Sequence, residues 1–191
     1  MDKMSRPLVL VVLLLAAEAA RAEDAMNVVQ AAIAAEHAAP SEQAKIFVER
    51  AGVADLYLIE RVGSSKLHLI RNPERGPQEI IIVDGFAWQR APEGWRKSPL
   101  RTVSSAAPSI AGLLKSGLTD LSEQPAIDDK RVFVGNIAWA SGRQNTGRFE
   151  LRIDASGLPR IIHFDGTCAG APCRFHEKID YDSQVTIAPP N

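Results

Sequence analysis

The sequence predicts an α+β protein built on one curved antiparallel sheet with helices on one face. Three observations predict it. Strand-length runs rich in Leu, Ile and Val follow one another, separated by turn-forming stretches. An Ala-rich helical segment precedes them all. A second helical stretch, opened by Pro108, divides an early group of strands from a later one.

The first 22 residues read as a secretory signal and not as part of the fold. Lys3 and Arg6 form a positive start, and Leu8 to Ala17 is an unbroken apolar run. That run is too short to span a bilayer as a helix. Ala20-Arg21-Ala22 supplies a small-x-small cleavage pattern. The expected product is an exported, soluble single domain, 23–191, with no transmembrane anchor after cleavage near Ala22.

Asp24 to Ala39 reads as the first helix. Asp24 is placed to cap it, Met26, Val29 and Ile33 share one face, and Pro40 ends it. The period then changes to two. Ala44, Ile46 and Val48 alternate with Lys45, Phe47 and Glu49, which favours a strand over a competing short helix. Leu56 to Val62, Lys66 to Arg71 and Gln78 to Val83 are strands, with turns at Gly63-Ser64-Ser65 and Asn72 to Pro77. Phe86 to Arg90 and Trp95 to Ser98 flank a hairpin turn at Ala91-Pro92-Glu93-Gly94.

The inserted helix is predicted from Pro108, with Ile110, Leu113, Leu114, Leu118 and Leu121 on one face. Gly112 and Gly117 weaken it. Strands resume at Arg131 to Val134 and Asn136 to Ala140. They continue at Arg148 to Asp154 and Leu158 to Phe164, and a last one runs from Phe175 to Ile187.

Composition narrows the function. Hydrophobic residues make up 46% and charged residues 24%, and the formal net charge is −1. The apolar content excludes a disordered chain. The charge balance excludes an overall cationic nucleic-acid binder. Two cysteines are too few for a disulfide scaffold.

Those cysteines are the sharpest local signal. Cys168 and Cys173 are separated by Ala169-Gly170-Ala171-Pro172. In an oxidising compartment the pair should bridge. The competing reading makes His163, Cys168, Cys173 and His176 four metal ligands. A hairpin with a four-residue turn at 169–172 sets Cys168 opposite Cys173, with 166 facing 175, 164 facing 177 and 162 facing 179. Ile162, Phe164, both cysteines, Phe175, Ile179 and Tyr181 then share one face, with Glu177 as the exception. His163, Asp165, Thr167, Arg174, His176, Lys178 and Asp180 occupy the other. The histidines point away from the cysteines, so the disulfide is favoured and no metal site is expected. Asp165 would sit opposite His176 as an exposed ion pair. Reduction should cost about 2 kcal/mol because the closed loop is short.

No nucleophile elbow, H-E-x-x-H, P-loop or G-x-G-x-x-G is present. His37 and His68 are isolated, and the pairs Asp128-Asp129 and Asp180/Asp182 read as loop and solvent-face carboxylates. The sequence therefore predicts no enzyme and no cofactor.

The order of features resembles the superfamily of periplasmic lipoprotein carriers typified by the outer-membrane lipoprotein carrier LolA. The residues that carry the resemblance are Ile80 to Trp88, Gly94 to Pro99, Ile153 to Arg160 and Ile179 to Pro190, together with the opening helix and the helical insert. The resemblance implies a periplasmic protein. It implies an open half-barrel covered by helices, with an apolar cavity for acyl chains of lipoproteins or other amphiphiles. A local disulfide hairpin is not something it requires. Bulky side chains expected to line such a space are Phe86, Trp88, Trp95, Phe149, Leu151, Ile162 and Phe164, all equally suited to a filled core. Two further readings stand beside a carrier. One is an envelope sensor or scaffold that binds a protein partner through a sheet edge or helical lid. The other is a small hydrolase.

Overall fold

In the computed structural model the described residues are 6–72, 78–100, 117–141 and 143–190. One helix, α1 (Arg6–Ala38), precedes eleven strands. It runs through the expected cleavage point, so Asp24 lies inside the helix and does not cap it. The chain then forms β1 (Ser41–Arg50), β2 (Val53–Val62), β3 (Lys66–Arg71), β4 (Gln78–Val83), β5 (Phe86–Ala91) and β6 (Gly94–Pro99). After them come β7 (Leu118–Ile127), β8 (Lys130–Ser141), β9 (Arg143–Ile153), β10 (Pro159–Cys168) and β11 (Ala171–Asp180).

All eleven belong to one sheet in the order β6-β5-β4-β3-β2-β1-β11-β10-β9-β8-β7. Every pairing is antiparallel, and the outermost strands are not paired with each other, so the half-barrel is open. The first and last strands meet in the middle, through β1 and β11. Two ribbons, β1–β6 and β7–β11, are thereby joined side by side.

Several expectations are corrected. Leu118 and Leu121 belong to strand β7, not to a helix; Leu121 is buried there against the core. Residues 108–116 of the expected helix lie outside the described residues. The two segments expected between 131 and 140 are one strand, β8. The last strand ends at Asp180, not at Ile187. Ile187 is still buried, because the segment after β11 packs Val185 and Ile187 onto Ile81 and Val83.

The β10–β11 register also differs from the expected one. Cys168 pairs with Ala171, Gly166 with Cys173, Phe164 with Phe175 and Ile162 with Glu177. The turn has two residues, Ala169 and Gly170, with φ of 53° and 82°. Two successive positive φ values make the tight hairpin turn whose twist matches that of the strands, and glycine at the second position favours it. The register moves by two residues, so each side chain keeps its predicted face. Asp165 now faces Arg174, and His163 faces His176.

A glycine pair allows the sheet to bend. Gly147 and Gly166 are cross-strand partners on the concave face. A Cβ on Gly166 would lie 2.1 Å from the Thr146 carbonyl oxygen, and one on Gly147 would lie 2.4 Å from that of Asp165. Only residues without a side chain let these backbones approach so closely.

Candidate functional site

The concave face is apolar and is covered by α1. Ala25, Val29, Ala32 and Glu36 recur at four-, three- and four-residue steps and are all buried, so one helical stripe faces the sheet. Two of the four are alanines, which lets the helix lie close. Beneath it are Ile46 from β1, Phe133 and Ile137 from β8, Phe149 and Leu151 from β9, and Ile162 from β10, each no more than 1% exposed.

Among the described residues, the helix does not seal this face. A cleft of about 540 Å³ opens along one flank, where Val28, Ala32 and Ala35 face Ile153, with Asp129 and Arg131 at its edge. A second cleft of about 710 Å³ lies where Ala22, Asp24 and Ala25 meet Asp120 to Glu123 of β7. Arg131 borders both clefts and is bound by two nitrogens to Glu123 at 2.7 and 2.9 Å.

The seven aromatic and aliphatic residues singled out in the sequence fall on two faces. Phe149, Leu151, Ile162 and Phe164 are on the concave face, in the core under α1. Phe86, Trp88 and Trp95 are on the convex face of β5 and β6. The register shows the division: Ile81 pairs with Trp88 and Val83 with Phe86, whereas the concave-facing Ile82 pairs with Ala87. Trp88 and Trp95 pack beneath the segment that carries Val185 and Ile187. The Lys97 ammonium sits over the rings of Phe86 and Trp88, at 3.8 and 4.9 Å from their centroids. Arg90 lies over Trp95. These three aromatics form a separate, cation-bordered patch.

The concave face holds a buried carboxylate cluster, which the sequence signalled only through Glu177. Glu36 at the end of α1, Glu42 on β1 and Glu177 on β11 are all buried. Arg61 on β2 donates to both oxygens of Glu42, at 3.0 and 2.9 Å, and to the carbonyls of Gly63 and Glu36. Among the described residues, Glu36 Oε2, Glu177 Oε2 and the Tyr181 hydroxyl are buried without a hydrogen-bond partner. Burial, and then the charge of Glu42, push the Glu36 carboxyl up to about 7 against the opposing pull of Arg61. Burial, with Glu36 and Glu42 nearby, also raises Glu177 well above the usual carboxylate range. One guanidinium cannot neutralise three carboxylates in an apolar setting, so part of the cluster holds protons.

On the convex face, His68 lies between two carboxylates, 2.9 Å from Glu60 and 2.9 Å from Glu79. A small cavity of about 170 Å³ adjoins it, lined also by Leu58 and Ile70. Phe47 and Leu56, cross-strand partners, are 39% and 37% exposed.

Cys168 and Cys173 form the expected disulfide, with Cα atoms 5.4 Å apart. Among the described residues no group of three or more His, Cys, Asp or Glu is arranged to hold a metal ion. No helix among them is long and apolar enough to cross a membrane.

No protein-family model matches the chain, and no curated protein matches it. Solved structures do. The chain is similar to the lipoprotein LppX of Mycobacterium tuberculosis, with a TM-score of 0.61 at 10% identity, covering 87% of this chain and 99% of that one. It is also similar to MucB, with a TM-score of 0.50 at 19% identity. That match covers 87% of this chain and 61% of MucB, so the chain spans less than two thirds of MucB's length. The fold is thus the LolA-like open half-barrel that the sequence resemblance implied.

Proposed function

We propose that this chain is an exported periplasmic protein that binds a hydrophobic or lipidated ligand, such as a lipoprotein acyl chain, without chemical turnover. One observation carries the reading. A concave apolar sheet is covered by a single described helix whose contact stripe is built on small residues, and that helix leaves open clefts along its flanks. Apolar pockets with a few polar groups at the edge are where amphiphiles bind. An acyl chain would enter beside Val28, Ala32, Ala35 and Ile153, and Arg131 would meet an anionic headgroup at the cleft edge. Phe149, Leu151, Ile162 and Phe164 form the apolar floor, reached when α1 shifts. Phe86, Trp88 and Trp95 would meet a ligand or membrane surface only from the other side.

The test is native mass spectrometry of the protein gently extracted from the periplasm, together with uptake of a fluorescent fatty-acid probe. The reading expects co-purifying lipid, saturable uptake, and at least about a tenfold loss of uptake in Ala35→Trp, which fills the cleft. Absence of both lipid and uptake overturns it.

A second reading, an envelope protein bound to the convex face, is favoured by the exposed Phe47–Leu56 pair. Cross-linking to a protein partner that Phe47→Lys abolishes, with fatty-acid uptake absent, would favour it over the carrier.

A further inference from the structure

The sequence already sets His163 and His176 on the opposite face of the hairpin from the two cysteines, and the observed register brings the two histidines side by side. The cysteines are joined to each other on the concave side. The histidines are direct cross-strand partners on the convex side of β10 and β11. Their Nδ1 atoms are 3.1 Å apart, and their ring centroids are 4.3 Å apart with the planes tilted by 36°. A tight two-residue turn fixes this register, and the disulfide ties the two strands together nearer the tip of the same hairpin.

We infer that His163 and His176 form a two-histidine site for an imidazole-preferring transition-metal ion such as Cu²⁺, Ni²⁺ or Zn²⁺, bound through the facing Nδ1 atoms. The separation is the argument. Two imidazole nitrogens, each about 2.0–2.1 Å from one ion, stand about 2.9 Å apart at a right angle and about 3.3 Å apart at a tetrahedral angle. The observed 3.1 Å lies between these. Facing nitrogens at this distance share at most one proton. A ligating imidazole uses a deprotonated Nδ1, and a shift of that proton to the outward Nε2 frees both lone pairs without changing the charge of either ring. A small turn of each ring about χ2 then aims both lone pairs at one point.

The surroundings agree with an open site. Both rings are partly buried, on the side of the sheet away from the core. Glu150, Arg152 and Lys178 lie near the pair, and Asp165 faces Arg174 at the next same-face position toward the turn. Glu150 is the direct partner of His163 on β9 and is bound to Arg152 at 2.8 Å, which offsets that cation. Lys178 opposes an incoming ion through its like charge. Two protein ligands leave the other positions to water or to a donor from a bound partner, so this is an open site and not a closed structural one. Phe47 is the cross-strand neighbour of His176, so an ion here would sit beside an exposed apolar side chain.

The experiment is titration of the full chain with Cu²⁺ alone, followed by calorimetry and by electron paramagnetic resonance. The expected result is one ion per chain with hyperfine coupling to two imidazole nitrogens. His163→Ala and His176→Ala should each weaken binding by about ten- to a hundredfold or more. His37→Ala and His68→Ala, at the two remaining histidines, should leave it unchanged, and circular dichroism should show all four variants folded. Cu²⁺ affinity unaltered in both His163→Ala and His176→Ala overturns the inference. So does binding that is lost in His68→Ala or His37→Ala, or the absence of saturable binding by the parent chain.

Discussion

The Arg61 guanidinium donates to the main-chain carbonyl of Glu36 at 2.7 Å while its other hydrogen bonds go to the Glu42 carboxylate and to the turn at Gly63. One side chain from β2 therefore ties the last turn of α1, the start of β1 and the β2–β3 turn together. A cation at the C-terminal end of a helix also meets the negative end of its dipole.

Removing that clamp should be costly. Arg61→Leu strands the Glu42 carboxylate in the interior and should lower unfolding free energy by about 3 kcal/mol. Arg61→Lys keeps a charge but cannot hold both Glu42 oxygens and two carbonyls together, so it should fall between Leu and the parent. Urea unfolding measures both. Equal stability of the parent and Arg61→Leu would show that the clamp contributes nothing.

The carboxylates beside it should make stability depend on pH. Glu36 is held at about 7, against 4.5 for a free carboxyl, chiefly by burial. The folded state then binds a proton that the unfolded state has released. Its contribution is fully present below about pH 4.5 and is lost as pH rises through about 7, a change of about 3 kcal/mol. Glu177 is raised as well and acts in the same direction. Glu36→Gln should remove the Glu36 share and flatten unfolding free energy between pH 5 and pH 8. An unchanged slope in that variant would assign the dependence elsewhere.

The disulfide should be a local pin. Reduction, or Cys168→Ser with Cys173→Ser, should cost about 2 kcal/mol, because the closed loop is short. Amide exchange should quicken first at the β10–β11 tip. Accelerated exchange across β1–β4 instead would mean that the hairpin supports the whole sheet.

The glycine pair should tolerate no side chain. Gly166→Val places a Cβ against the Thr146 carbonyl and should destabilise by about 3 kcal/mol through forced separation of β9 from β10. A melting temperature equal to that of the parent would show that the strands can part freely.

Short apolar runs between turn residues made much of this fold legible. Lys66–Arg71 and Gln78–Val83 match their expected bounds, because short runs rich in Leu, Ile and Val are cut off by the turn-forming stretches around them. Leu118 and Leu121 misled because leucines three apart suit a helix. Register irregularities in β7, between Thr119 and Ser122 and between Gln124 and Ile127, break the strict alternation that would have marked a strand. The face of each β10 and β11 residue was readable, but the register was not, since two- and four-residue turns give the same parity. The seven apolar candidates could not be sorted between the two surfaces until β4, β5 and β6 were placed in register with the rest of the sheet. The buried carboxylates were hidden for a similar reason: Glu36, Glu42 and Glu177 come from three distant segments, and only Glu177 interrupted an apolar face.

The meeting of β1 with β11 at the centre of the sheet has a kinetic consequence. Each ribbon can assemble from neighbouring hairpins, whose ends are close along the chain and whose loops cost little entropy to close. The seam joins residues more than a hundred positions apart, such as Ala44 and Ile179. Its formation pays the largest loop-closure cost, so it should set the folding rate. Until it forms, both seam strands are bare edges with unpaired backbone groups, the state in which a β protein is most exposed to self-association.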